Sequence, residues 1–479
     1  MGAVPHIQIL RAGEPYTSLD QKELCGFRDG ALLATVSQAN AGLVRRDLRK
    51  LEQRAASLRA IPMARRLAIC KAAGELFLNA TLPLSDGVDQ SPSDYVAALS
   101  QTSGLPHTLC RKNAQKVWTV FDEMPAILRG LMRGMDPSVV DDGFGEHGGI
   151  SVCYARAGRA LGVVLPSNSP GVNSIWMPAI ALGVPVVLKP GREEPWTPFR
   201  IIQAFLAAGC PREAFSFYPT DHEGAASILG GAGRALLFGD ASTTAAYAHD
   251  PSVQVHGPGR SKVVIGADAI GEWRSYLDVI VESIVANGGR SCINASSIFV
   301  PAHADELAAA LAERLALLQP MAMDADAACL SAFANPKLAE FVDASIQSGL
   351  AAGGARDITA QLRDGPRLVT HDGVRYVLPT LVRCDDVEHT LARTEFLCAF
   401  ASVVEVPHER LLDAIGPSLV VTAITRDSEL IEGLVDSPDV DRLNLGPVPT
   451  SRVEWDQPHE GNLFEFLFRR RALQRAPGW

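Results

Sequence analysis

Apolar positions along this chain recur in two different rhythms. Between about residues 30 and 135 they return at helical spacing, and the pattern predicts helices over Leu43 to Leu58, Met63 to Leu78 and Arg111 to Leu131. Arg133 to Gly149, rich in Gly and Asp, reads as a loop, and Ile150 to Arg156 alternates like one strand of a protruding hairpin. From residue 160 the rhythm changes to short, nearly continuous apolar runs. Leu161 to Leu165 is a strand closed by Pro166, Ser167-Asn168-Ser169-Pro170 is turn chemistry, and Ser174 to Leu182 has helical spacing up to Gly183. Val184 to Leu188 is a second strand, closed by Lys189-Pro190-Gly191. Strands this apolar belong to a parallel sheet covered on both faces. Polar residues at the carboxyl ends of such strands line the ligand crevice, which singles out Asn168 and Lys189.

The pattern repeats further on. Ala235 to Phe238 is a strand, Gly239-Asp240-Ala241-Ser242 a tight turn, and Thr243 to Ala248 opens a helix whose start can receive a phosphate. The chain passes through His256-Gly257-Pro258-Gly259, and a second α/β region begins near Lys262, with helices near Trp273–Ala286 and Asp305–Leu318. Within it, Asn287-Gly288-Gly289-Arg290-Ser291-Cys292 sets a cysteine on a glycine-rich bend before an apolar, β-branched run. Small residues let backbone crowd the sulfur, and a thiolate presented to a cleft is a strong nucleophile. Taken alone, Cys292 is equally readable as a small buried hydrophobe.

Composition narrows the class. A chain of 479 residues is too long for one core, so two or more domains are expected. A net charge of −10 argues against a nucleic-acid partner. The nine cysteines, with no CxxC pair, suggest a reducing, cytoplasmic setting and no metal site. No signal-peptide pattern and no run of 18 apolar residues is seen, so no membrane association is expected.

Taken in order, these segments resemble the aldehyde dehydrogenase superfamily over roughly residues 60–450. That family's catalytic loop, Asn-x-Gly-Gln-x-Cys, matches residues 287–292 in spacing, with Arg290 for glutamine. Its Pro-Trp-Asn turn is similar to Pro166-Ser167-Asn168, and its Leu-Lys-Pro strand end to Leu188-Lys189-Pro190. Its Glu-x-Phe-Gly-Pro stretch keeps only Glu395 and the strand that follows. The resemblance implies an α/β fold with a Rossmann-type cofactor domain (1–145 and 160–255), an α/β catalytic domain (256–445) and oligomerisation or bridging segments (146–159 and 446–479). A homodimer or homotetramer is implied, with the basic cluster Arg469 to Arg471 read as a solvated tail.

Implied roles follow residue by residue. Cys292 attacks an aldehyde, and Asn168 with the Cys292 N–H stabilises the oxyanion. Lys189 binds the adenosine ribose or its phosphate, Pro166 and Ser167 flank the cofactor, and Gly239, Ala241 and Ser242 lie near its pyrophosphate. Glu395 holds the nicotinamide ribose, and Trp176 is expected to line the substrate tunnel.

Three departures leave alternatives open. His256 stands where the family has the glutamate that activates water. A neutral imidazole can act as that base, giving a carboxylate product; alternatively, water activation is lost and coenzyme A takes the acyl group, as Gly257-Pro258-Gly259 suggests by its similarity to the CoA-acylating branch. Arg192 stands where many NAD-using members have glutamate, which attracts the 2′-phosphate of NADP, while Glu193 and Glu194 can restore NAD. The family's glycine-rich stretch near the C-terminus is replaced by residues 446–466, which bring His459 and Glu460 instead. A catalytically weak relative kept for binding or assembly is the reading from another class; selective labelling of Cys292 and nucleotide binding distinguish it from an enzyme.

Overall fold

Strands form where the apolar runs become continuous, others precede them from the N-terminal segment onward, and together they build a central sheet in each of two units. The computed structural model describes residues 4–476, and only the backbone of residues 52–55. The ends of the ranges 1–145 and 446–479 therefore lie outside the described residues. The first unit runs to Thr102, takes Arg111–Gly257, and closes with the segment from Glu454. The second comprises Ser103–Cys110 and Pro258–Val453.

In the first unit the sheet strands are β1 (Ile9–Arg11), β2 (Glu14–Tyr16), β3 (Ala160–Val164), β4 (Val186–Lys189), β5 (Phe215–Phe217), β6 (Gly233–Phe238) and β7 (Val253–His256). Their spatial order is β7-β6-β3-β4-β5-β1-β2. The run from β7 to β5 is parallel, and β1 and β2 are antiparallel additions at one edge. Every residue of β3 is buried, which is why its sequence shows no alternation. Helices Trp196–Ala207 and His222–Gly231 follow β4 and β5 and supply the crossovers that parallel pairing requires. A small antiparallel sheet joins Phe144–His147, Ile150–Arg156 and Phe468–Arg470.

In the second unit the strands are β8 (Ser261–Ile265), β9 (Ala295–Val300), β10 (Ala355–Asp357), β11 (Thr380–Cys384), β12 (Phe400–Glu405), β13 (Ser418–Ile424) and β14 (Val440–Leu445). Their order is β10-β11-β12-β9-β8-β13-β14, parallel except for β10. One core, with Ile280, Ile284, Leu307 and Leu311, covers one side of this sheet, and another, with Val342, Ile346, Leu430 and Leu434, belongs to the remaining helices. No helix among the described residues is long and apolar enough to cross a membrane.

Several expected elements differ. Leu43 to Leu58 is two helices, Ala41–Leu48 and Leu51–Arg59, and Arg111 to Leu131 is likewise two, His107–Asp122 and Met124–Leu131. Leu48 and Leu51 are both buried, so the apolar stripe runs through the break and periodicity does not register it. Ser174 to Leu182 is a 3₁₀ segment, Pro170–Ile175, then a four-residue helix, Pro178–Ala181. Pro178 lacks the N–H that a continuous helix would use. The supposed loop Arg133 to Gly149 contains a helical turn, Val139–Asp142, and a strand. Asp141 accounts for the order there: it accepts from the Met63 N–H at 2.6 Å and pairs with the buried Arg66 at 2.5 Å.

Candidate active site

The first unit holds a cavity of about 990 Å³ at the carboxyl ends of β3, β4 and β6. Its lining includes Val164 and Leu165, the turn Lys189 to Glu193, Phe238, Gly239 and Ser242. Two of these turns are packed together: a Cβ on Gly191 would strike the Pro166 carbonyl and the Ser167 hydroxyl, and Ser167 Oγ accepts the Glu193 N–H at 3.2 Å. Pro166, Ser167, Lys189 and Arg192 are thus brought to one place. Burial pulls the Lys189 ammonium below the usual lysine range, with Glu193 opposing and Lys22 adding to the effect. Lys22 and Gln38, from a small N-terminal sheet, also line the cavity; no sequence motif had marked them.

One expectation about this cavity changes. Glu194 is buried, 2 % exposed, and its carboxyl accepts the Thr197 N–H at 2.8 Å at the start of Trp196–Ala207. It belongs to the helix, so of these two carboxylates Glu193 is the one left to offset Arg192. The turn beyond Gly239 already carries its own anion. Asp240 accepts from the Thr243 N–H at 2.8 Å and the Ser242 hydroxyl at 2.7 Å, and the Thr243 N–H chiefly holds the Asp240 carboxyl below the usual range. Ala241 is exposed just past that cap. Gly239 and Ser242 line the cavity beside this capped helix start. The volume, at the upper end of small-molecule sites, the strand-end lysine and the Cβ-free Gly191 fit a dinucleotide.

His256 ends β7 in the same unit. It is 4 % exposed, and its ring stacks on Phe238 with centroids 4.3 Å apart and planes 13° from parallel. Nδ1 bonds the Glu460 carboxylate, and Gln254 Nε2 donates to the Glu460 carbonyl. Nε2 is buried with no hydrogen-bond partner among the described residues. Asn168 lies half-buried on the bend after β3. Trp176, by contrast, is fully buried and donates Nε1 to Asn173 at 2.9 Å, so it packs the interior and lines no open tunnel.

In the second unit, Cys292 stands on a bend built by three successive left-handed residues. Asn287, Gly288 and Gly289 have φ of 54°, 68° and 73°. A Cβ on Gly288 would collide with Ser331, and one on Gly289 with the backbone of Cys398 and Ala399. Beyond the bend, Asn294 accepts the Ser291 N–H at 2.9 Å and donates to the Ser283 and Ala286 carbonyls, each at 3.0 Å. Ser261 Oγ donates to the Cys292 carbonyl at 2.9 Å, against which Gly259 also packs. Asn294 and Ser261 had escaped the sequence reading because their partners are backbone groups. Arg290, the family's glutamine position, donates to the Ser103 carbonyl.

Glu395 lies on the segment before β12 and meets the turn that leads into β8. Its carboxylate accepts the Arg260 N–H at 2.6 Å, yet burial still pushes it up to about 7, against the Arg260 and Gly259 N–H groups. Lys262 donates to the Arg260 carbonyl and to Ser418 Oγ, both at 2.8 Å, and burial brings its ammonium down to about 8. Cys292 is half-buried, whereas burial pushes the thiols of Cys70, Cys384 and Cys398 up to about 12. Access therefore separates Cys292 from these three.

Comparison with known proteins agrees. Residues 18–415 match the model of the aldehyde dehydrogenase family. N-succinylglutamate 5-semialdehyde dehydrogenase 2 of Caulobacter vibrioides is 26% identical over 325 residues, 65% of this chain and 63% of that protein. 2-Hydroxymuconic semialdehyde dehydrogenase of Pseudomonas sp. strain CF600 is 24% identical over 229 residues, 45% of this chain and 46% of that protein. The chain thus spans less than two thirds of the length of either relative. The crystal structure of an NAD-dependent aldehyde dehydrogenase from Sinorhizobium meliloti superposes with a TM-score of 0.78 at 16% identity, over 99% of this chain and 97% of that one. With the family model spanning most of its length, this chain belongs to the aldehyde dehydrogenase family.

Proposed function

We propose that this chain oxidises a small-molecule aldehyde to a carboxylate through Cys292, using NAD or NADP, with water rather than coenzyme A releasing the product. The observation that carries the choice of water is His256: a buried, stacked imidazole whose Nε2 has no partner among the described residues. An unsatisfied buried nitrogen costs stability, and such a group calls for a use in chemistry.

In this reading the first unit is the cofactor domain and the second the catalytic domain. Lys189, Arg192 and Glu193 bind and orient the adenosine end of the dinucleotide, Pro166 and Ser167 flank it, and Glu395 orients the nicotinamide ribose. The bound nicotinamide supplies the hydride acceptor for the oxidation. The Cys292 thiolate adds to the aldehyde carbon, and Asn168 with the Cys292 N–H meets the charge on oxygen. At the thioester stage His256 takes a proton from water at Nε2 as the water oxygen bonds to carbon. The carbon–sulfur bond then breaks, freeing the carboxylic acid, which loses its proton to solvent to become the carboxylate, and the Cys292 thiolate.

A homodimer or homotetramer in the cytoplasm belongs to the same reading, and the hairpin, on which Phe144 and Ile150 are 42% and 60% exposed, supports the assembly. The test is reduced-nicotinamide absorbance from a panel of aldehydes, with either cofactor and with or without coenzyme A. Steady turnover without coenzyme A is expected. A single equivalent that becomes continuous only with coenzyme A would assign the acylating reaction instead.

A further inference from the structure

We propose that Glu460 is the positioning residue of His256, fixing its tautomer and its ring so that Nε2 presents a lone pair. This rests on the reading of His256 as the base that resolves the Cys292 thioester. Residues 204 positions apart meet here, and an ionised carboxylate only accepts hydrogen bonds, so the proton of the neutral ring sits on Nδ1. Nε2 is then the basic nitrogen, and it is the one without a partner among the described residues.

The ring is held on three sides. Phe238 stacks on one face, β7 pairing with β6 fixes the His256 backbone opposite Phe238, and Glu460 fixes Nδ1. Glu460 is braced in turn. Gln254, two residues before His256 on β7, grips its carbonyl, and Gly461 (φ 71°) turns the chain where a Cβ would come within 2.6 Å of the Gln254 amide. Asn462 Nδ2 anchors the segment to the Leu131 carbonyl at 2.8 Å, and the Asp456 backbone packs on Gly130 with no room for a Cβ. The stretch that replaces the family's glycine-rich end thus delivers a carboxylate beneath the residue that replaces the family's glutamate. When Nε2 takes a proton, the imidazolium forms beside that carboxylate and is stabilised by it.

The test needs no nicotinamide. p-Nitrophenyl acetate acylates a reactive thiolate: a sulfur–carbon bond forms, the ester carbon–oxygen bond breaks and p-nitrophenolate leaves. Water then adds to the acetyl carbon, gives its proton to His256 Nε2, and the sulfur–carbon bond breaks to yield acetate. The nitrophenolate burst reports acylation, and the lifetime of acetyl-Cys292, followed by mass spectrometry, reports deacylation. Glu460→Gln should lengthen that lifetime tenfold or more, with the burst unchanged and the melting temperature within a few degrees of the parent. Glu460→Asp should restore most of the rate; should Glu460→Gln fold poorly, Glu460→Asp and Gln254→Ala, which loosens the brace, give the same readout. His256→Asn should lengthen the lifetime at least as much, and the double variant no further. A normal lifetime in Glu460→Gln beside a long one in His256→Asn overturns the positioning role alone. A normal lifetime in His256→Asn, or acetyl found only on other residues, overturns the base reading beneath it.

Discussion

Glu194→Gln isolates one buried carboxyl. The side chain is 2 % exposed, its partner is the Thr197 N–H, and burial raises its carboxyl from 4.5 to about 8. A raised carboxyl keeps its proton in the fold at pH values where the unfolded chain has lost it. Stability is therefore greatest below the unfolded value of 4.5 and falls as pH rises toward about 8, beyond which both states are ionised. At roughly 1.4 kcal/mol for each pH unit, the full effect has a ceiling of about 5 kcal/mol, and about 3 kcal/mol of it falls between pH 5.5 and 8.5. Glutamine keeps the acceptor for Thr197 and has no proton to lose. The variant should match the parent near pH 5.5 within about 1–2 kcal/mol and gain on it steadily toward pH 8.5, by several degrees in melting temperature. Other titrating groups cancel in the difference between the two proteins. A difference that stays constant with pH, or one in which the parent gains at high pH, would refute the assignment of a buried, protonated Glu194.

Three further outcomes follow from the packing. Gly289→Ala puts a Cβ at φ 73° against immovable backbone and should cost roughly 2–4 kcal/mol while disturbing the Cys292 bend, seen as lowered denaturation midpoint and slowed thiol labelling. Arg200→Met strands three carbonyls, of Phe77, Gln90 and Ala80, that its guanidinium now satisfies at 3.0, 3.0 and 2.6 Å; a loss of about 3–5 kcal/mol in chemical unfolding is expected. Iodoacetamide at neutral pH should modify Cys292 well before Cys70, Cys384 and Cys398, read by peptide mass mapping; equal rates would contradict the burial described.

What the sequence displays and what it hides divides along contact distance in the chain. The β3 and β4 strands, the Lys189 strand end and the Cys292 bend are local patterns: continuous apolar residues, then residues that close a strand or permit positive φ. The helix break at residues 49–50 leaves the apolar stripe intact, so nothing local marks it, whereas Pro125, in the first turn of Met124–Leu131, is the local mark of the break at 123. Asp141 reads as loop composition until Arg66 and the Met63 N–H are found beside it. Glu194 looks like a second ribose-binding carboxylate by position, and only burial shows it to serve the helix start. Asn294 and Ser261 brace Cys292 through backbone carbonyls and amides, which carry no signature. His256 and Glu460 were each noticed as departures, but their pairing joins β7 to a segment 204 residues away, beyond any periodicity or motif.

The most direct measurement is to quench the protein during aldehyde turnover, in acid, and locate the substrate acyl group by peptide mass spectrometry. The account predicts an acyl thioester on the peptide carrying Cys292, absent without nicotinamide cofactor and accumulating in His256→Asn. Turnover with no acyl group on that peptide, or with the group on another cysteine, would contradict it.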